Sequence, residues 1–154
     1  MQTDWFECKV RYDKTLENGL IKKTIETYLV DAFSFTEAEK RFIEEIEPYM
    51  TGEYFVTDIK RARITDLFES NDLNDDRWYR ARLAYITLDE KSGAEKRTMQ
   101  TALIQACDFR RAMANLDEGM KGTMGDWIVV SMTETPIIGI FKYKADEDSV
   151  AEHQ

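Results

Sequence analysis

The residues that most often carry catalysis are scarce in this chain: one histidine, His153, and two cysteines, Cys8 and Cys107, among 154 residues. His153 stands one residue from the end, which leaves no histidine-based triad and no zinc site with histidine ligands. Two cysteines cannot build a structural zinc site either. The run from Gly119 to Gly125, Gly-Met-Lys-Gly-Thr-Met-Gly, has the look of a phosphate loop, but it lacks the Gly-Lys-Ser/Thr ending and follows a helical pattern instead of opening one. It reads as a helix stop and a turn. Adjacent carboxylates occur at Asp75-Asp76, Asp117-Glu118 and Glu44-Glu45, in segments expected to be solvated, and neighbours on a helix do not face each other. No catalytic residue, metal ligand or cofactor site is expected, and the chain is not expected to be an enzyme.

A different chemistry recurs. Trp5, Lys9 and Arg11 fall on one face of an alternating segment, and Trp78, Arg80 and Arg82 fall on one face of another. An aromatic ring followed by cations on the same side could stack a base and follow the phosphates of a single strand. Arg61 and Arg63 are candidates to extend the patch, although Lys60 and Arg61 point opposite ways and the sequence does not fix that register. The competing structural reading puts both indoles in the interface between two halves of the protein, with the cations paired to nearby carboxylates.

The elements that must carry these residues follow from an internal duplication, the pattern to settle before any other. The segment from Trp5 to Phe68 recurs from Trp78 to Phe141: Tyr12 matches Tyr85, Gly19 matches Gly93, and Phe42, Ile46, Ile64 and Phe68 match Leu116, Met120, Ile137 and Phe141. In each copy an alternating strand (Phe6, Cys8, Val10 and Tyr12 on one side in the first) leads through a Gly-bearing turn to a second strand. Ser34 with Glu37, and Asp108 in the second copy, cap a helix that buries Phe35, Ala38, Phe42 and Ile46, or Phe109, Ala112, Leu116 and Met120. A third strand follows, from Tyr54 toward Phe68 and from Trp127 to Thr135, where Pro136 marks an end, bulge or edge.

The unit is β-β-α-β and the class α+β. A right-handed crossover through the helix puts the third strand beside the first, giving a three-stranded antiparallel sheet of order 2-1-3 with the helix on one face. Repeats 4–68 and 77–141, joined by an acidic linker 69–76, are expected to form one compact domain 1–154 as a pseudo-dimer, with 142–154 an acidic mobile tail.

Composition narrows the partners. At 43% apolar residues the chain can bury a core, and its net charge of −9 opposes bulk attraction to nucleic acid or an anionic membrane. No long apolar run and no basic-then-apolar leader is present, so a cytoplasmic protein with reduced thiols is expected.

The motifs Trp5-Phe6-Glu7-Cys8-Lys9-Val10-Arg11-Tyr12, Tyr28-Leu29-Val30-Asp31-Ala32, Asp76-Arg77-Trp78-Tyr79, Thr87-Leu88-Asp89-Glu90-Lys91-Ser92-Gly93 and Thr133-Glu134-Thr135-Pro136 carry a resemblance over almost the whole chain. It resembles an uncharacterised domain family of about 150 residues from gut Bacteroidales and their phages and mobile elements. The resemblance implies a small intracellular protein, an accessory to phage or mobile-element DNA metabolism, and brings no activity with it. Two readings remain: a non-catalytic protein-interaction or regulatory module, with a homodimer through a strand edge or the aromatic face as one form of it, or a single-stranded nucleic-acid binder using the two aromatic-cationic stripes.

Overall fold

In the computed structural model, which describes residues 2–143, the chain is α+β, with two four-stranded sheets that each carry one helix. The acidic tail and His153 lie outside the described residues, apart from Lys142 and Tyr143.

Strand β1 (Asp4–Thr15) turns back through a short loop into β2 (Ile21–Ala32), and β5 (Arg77–Leu88) into β6 (Glu95–Ala106). Both loops need a backbone with positive φ, supplied by Gly19 at 82° and Gly93 at 72°. Helix α1 (Phe35–Ile46) and helix α2 (Phe109–Gly119) start on side-chain caps: the Glu37 amide donates to Ser34 Oγ at 3.1 Å, the Arg111 amide to Asp108 Oδ1 at 2.8 Å. The Glu37 carboxylate accepts from the Phe33 amide, one residue before the expected Ser34.

The helices bury Ala38, Phe42 and Ile46, and Ala112 and Leu116 with Met120 just beyond, against Phe6, Cys8 and Val10 in one sheet and Tyr79, Ala81 and Leu83 in the other. Phe35 and Phe109 depart from expectation by staying half-exposed. Each opens its helix, and its ring reaches only the edge of a strand ring, Phe6 at 4.9 Å and Tyr79 at 6.4 Å.

The order 2-1-3 is present in both sheets, with β3 (Tyr54–Ala62) and β7 (Asp126–Glu134) antiparallel to β1 and β5. Both pairings carry a bulge at matching places, Lys9/Val10 and Arg82/Leu83. Two expectations need correction. The third strand does not run on to Phe68: β3 stops at Ala62, and Asp66–Phe68 forms a separate strand, β4. Nor are the sheets three-stranded and purely antiparallel, because β4 pairs parallel to β6, and β8 (Ile137–Phe141) pairs parallel to β2. The sheets are therefore β3-β1-β2-β8 and β4-β6-β5-β7, each completed by the closing strand of the other repeat. The chain resolves accordingly into one compact unit built from residues up to Ala62 together with those from Ile137, and a second from Arg63 to Pro136.

In the second unit β4 fixes one residue tightly. A Cβ on Gly119 would stand 2.5 Å from Cδ1 of Phe68, so this helix end must be bare where β4 passes. Gly119→Ala should therefore lower the urea midpoint, costing about 1–2 kcal/mol, because overpacking against the ring outweighs the roughly 1 kcal/mol gain in helix propensity. An unchanged or raised midpoint would contradict this packing.

Candidate functional site

A strand's two faces alternate, so the side of β1 turned away from α1 carries Trp5, Glu7, Lys9 and Arg11, as the spacing implies. Ladder register extends the face in rows: Ala62–Trp5–Asp31, Lys60–Glu7–Leu29, Asp58–Lys9–Thr27 and Phe55–Arg11–Ile25 across β3, β1 and β2. Burial divides it. Glu7, Leu29 and Thr27 are buried, Trp5 and Lys9 half-buried, and only the row nearest the hairpin loop is open, with Ile25 63% and Phe55 51% exposed. Ile21, on the same face by period, is exposed as well.

Arg11 holds the centre of that row. Its guanidinium carbon lies 5.2 Å from the centroid of the Phe55 ring, and it makes no ion pair among the described residues. A shallow cavity of 220 Å³ beside it is lined by Arg11, Tyr12, Asp13, Lys23, Glu53 and Phe55. Two cations, two carboxylates, a phenol and a ring make a surface that can hydrogen-bond and stack. No nucleophile with an adjacent base is among them.

The second unit is built on the same plan but is less open. Trp78, Arg80 and Arg82 share the face of β5 away from α2, as expected, yet Trp78 is only 5% exposed, and Leu103 and Ala84 on that face are fully buried. The indole is therefore not available to stack a base. Its backbone carbonyl accepts from both the amide and the hydroxyl of Thr135, which ties down the segment after β7. Arg80 is half-buried and Arg82 exposed.

Arg61 does not extend the patch. It stands opposite Phe6 in register, on the helix side, where its guanidinium pairs with Asp4 at 3.6 Å and lies over the Phe6 and Phe35 rings. Its neighbour Lys60 takes the other face, 3.7 Å from Glu7. Arg63 is exposed and falls beyond β3, in the second unit. On the face away from α1, the exposed ring that meets a cation is Phe55. Its place depends on the bulge in β3, which the sequence pattern does not mark. Ile21, Ile25 and Leu29, spaced by four, carry a signal: the face of β2 away from the helix alternates apolar residues with Lys23, Thr27 and Asp31.

A second polar cluster was not anticipated. Asp75, expected to be solvated in the acidic linker, is buried: its Oδ2 accepts from Ser70 Oγ at 2.5 Å and Asn115 Nδ2 at 3.4 Å, with Arg111 Nε at 3.6 Å. Burial pushes its pKa up, but the Ser70 and Asn115 hydrogen bonds and the Arg111 charge prevail and hold it below the ordinary carboxylate value. The Ser70 amide donates to Gln105 Oε1 and Asn115 Nδ2 donates to the Gln105 carbonyl, so the loop is clamped to β6 and α2.

Both thiols are shifted away from the thiolate form. Cys8 is fully buried in the first core, and that burial, with the neighbouring Glu7 charge, pushes its pKa up to about 12. Cys107 is shifted upward as well, by burial and the Asp108 and Asp75 charges. Among the described residues no group of His, Cys, Asp and Glu is arranged to hold a metal ion, and no helix is long and apolar enough to cross a membrane.

No curated protein matches the chain. The model of the family described as a domain of unknown function, DUF4494, matches residues 4–143, nearly all of the chain and both repeats, and the protein belongs to that family.

Proposed function

We propose that this protein is a non-catalytic interaction module that binds a protein partner through the hairpin end of the β1–β2–β3 face. The observation that carries the reading is the row Phe55–Arg11–Ile25, with Ile21 two rows further along the same face, past the Asp13–Lys23 pair. Apolar side chains stand in solvent on a rigid sheet, around a cation that has stacked on a ring and found no carboxylate. Exposed apolar groups gathered on one surface and rimmed by polar ones mark association sites more often than scattered ones do. A stacked arginine beside an aromatic ring is also the composition of an interface anchor.

A photo-crosslinking residue placed at Ile25 in the native host is expected to give one discrete protein adduct, while the same residue at the fully exposed Leu73 gives none. Ile25→Asp should weaken that partner at least about tenfold without changing the thermal midpoint. Absence of any adduct at both Ile25 and Phe55 would remove the proposal. A self-adduct of twice the chain mass would make the partner a second copy.

One observation supports a second reading, single-stranded nucleic acid: the stacked Arg11–Phe55 pair lies near Lys9 and Lys23 on the same face. An accessory role in phage or mobile-element DNA metabolism, which the family resemblance implies, would suit it. The aliphatic side chains of Ile21 and Ile25 and the burial of Trp78 weigh toward protein, because neither offers a base a ring to stack on. Titration of a labelled oligonucleotide decides: affinity falling steeply with salt and lost in Arg11→Glu favours nucleic acid, and a flat response at low salt excludes it.

A further inference from the structure

The two repeats differ at the outer edge of their sheets. Strands β3 and β7 hold equivalent edge positions, and each leaves one row of backbone N–H and C=O groups without a strand beside it. Such an edge templates pairing with another chain unless it is blunted by charge, proline, cover or a bulge; both strands carry one bulge residue, Thr57 in β3 and Val130 in β7, so charge is what separates them. Strand β3 is blunted further, because Asp58, Lys60 and Arg61 punctuate it. Strand β7 reads Asp126-Trp127-Ile128-Val129-Val130-Ser131-Met132-Thr133-Glu134, with no charged residue between its ends. Its ladder partner is β5, its Trp127, Val129 and Met132 pack into the cores that α2 closes, and Val130 is 49% exposed. The β-branched and aromatic content that makes it a good strand makes it equally fit to accept a neighbour.

Charge says what neighbour. Two copies of β7 paired antiparallel about Val130 would set Asp126 against Glu134 at both ends, between chains that each carry a net charge of −9. The edge therefore repels itself. Asp126 makes no ion pair among the described residues, and Glu134 has only a half-exposed contact with Arg77 at 3.8 Å. A strand with apolar alternation and lysine or arginine at its ends would meet both carboxylates, extend the backbone ladder on either side of the Val130 bulge and cover Ile128 and Val130. We infer that the β7 edge is a strand-addition site for an extended partner segment with a β-branched centre and basic ends. This surface lies on the second unit and stands independently of the face proposed above.

The probe is a nine-residue peptide of alternating valine and threonine with lysine at both ends, matched to the nine residues of β7. It is compared with the same peptide ended by glutamate, using the full chain. The lysine-ended peptide is expected to slow amide exchange across 127–133 and to bind at least about tenfold more tightly than the glutamate-ended one, with the difference shrinking in high salt. Val130→Lys places a charge at an exposed position, so it should leave the thermal midpoint unchanged and weaken the lysine-ended peptide at least about tenfold. Equal binding of the two peptides, slowed exchange on β3 instead of β7, or no slowing at millimolar peptide overturns the inference. So does a dimer of the free protein that Val130→Lys dissociates, because the occupant would then be a second copy. An Ile25→Asp chain that still binds the peptide separates this site from the hairpin-end face.

Discussion

A chain ended after Pro136 is expected to lose the ordered first sheet, although the strand removed belongs to the second repeat; a chain ended after Tyr143 should keep it. Strand β8 supplies the parallel neighbour of β2, pairing Leu29 with Ile140 and Val30 with Phe141. Ile137 is 2% exposed, and the Phe141 ring stacks on Tyr28 with centroids 5.2 Å apart. Burial of an isoleucine is worth about 2 kcal/mol and loss of a packed phenylalanine about 3, so the deletion removes on the order of 5 kcal/mol. That is most of the stability of an ordinary domain, and it opens the edge of β2 as well. Amide exchange locates the damage: protection should vanish at 28–30 and persist at 102–104, where β4 from the first repeat holds β6. The reverse pattern, or equal damage from the two truncations, would mean that the closing strands are not exchanged between the repeats.

Why the exchange was illegible in the sequence is itself instructive. The second copy signals a break after β7 with Pro136, which has no amide to continue a ladder. Arg63 holds the corresponding place in the first copy and carries no such mark, so Tyr54 to Phe68 reads as one strand. What decides it is tertiary: the Thr65 amide donates to the Thr101 carbonyl at 2.8 Å and starts β4 along β6. Period-two alternation likewise assigned Trp5, Lys9, Arg11, Trp78, Arg80 and Arg82 to the faces they occupy, since which side a side chain takes is a local property. Whether that side is covered is not local, and so the buried Trp78 and the open Phe55 could not be separated. The caps and helix cores were legible because Ser34, Asp108 and the 3.6-residue spacing act within one turn of chain. Asp75 was not, because its partners come from α2 and from five residues upstream in the loop.

That carboxylate gives the second large effect. Asp75→Ala should cost roughly 3 kcal/mol near neutral pH, because it removes hydrogen bonds to a charged acceptor and leaves Ser70 Oγ and Asn115 Nδ2 short of a partner inside the protein. Arg111 is half-exposed and can return to water, which keeps the cost below that of stranding a buried cation. The pH dependence has a definite sign. The folded-state pKa of Asp75 is lowered relative to the unfolded value of about 3.9, so its contribution is complete above that value and is lost as pH falls through the folded pKa. Urea unfolding of the wild type and of Asp75→Ala should therefore differ most at about pH 6 and draw together as pH falls below about 4, with Asp75→Asn intermediate at the higher pH. A difference that stayed constant over that range would assign the loss to packing instead of charge. A cost under about 1 kcal/mol would mean that the 69–76 loop is held without its carboxylate. Because the same loop follows β4, loosening it should also raise exchange at 66–68, coupling the buried aspartate to the strand that completes the second sheet.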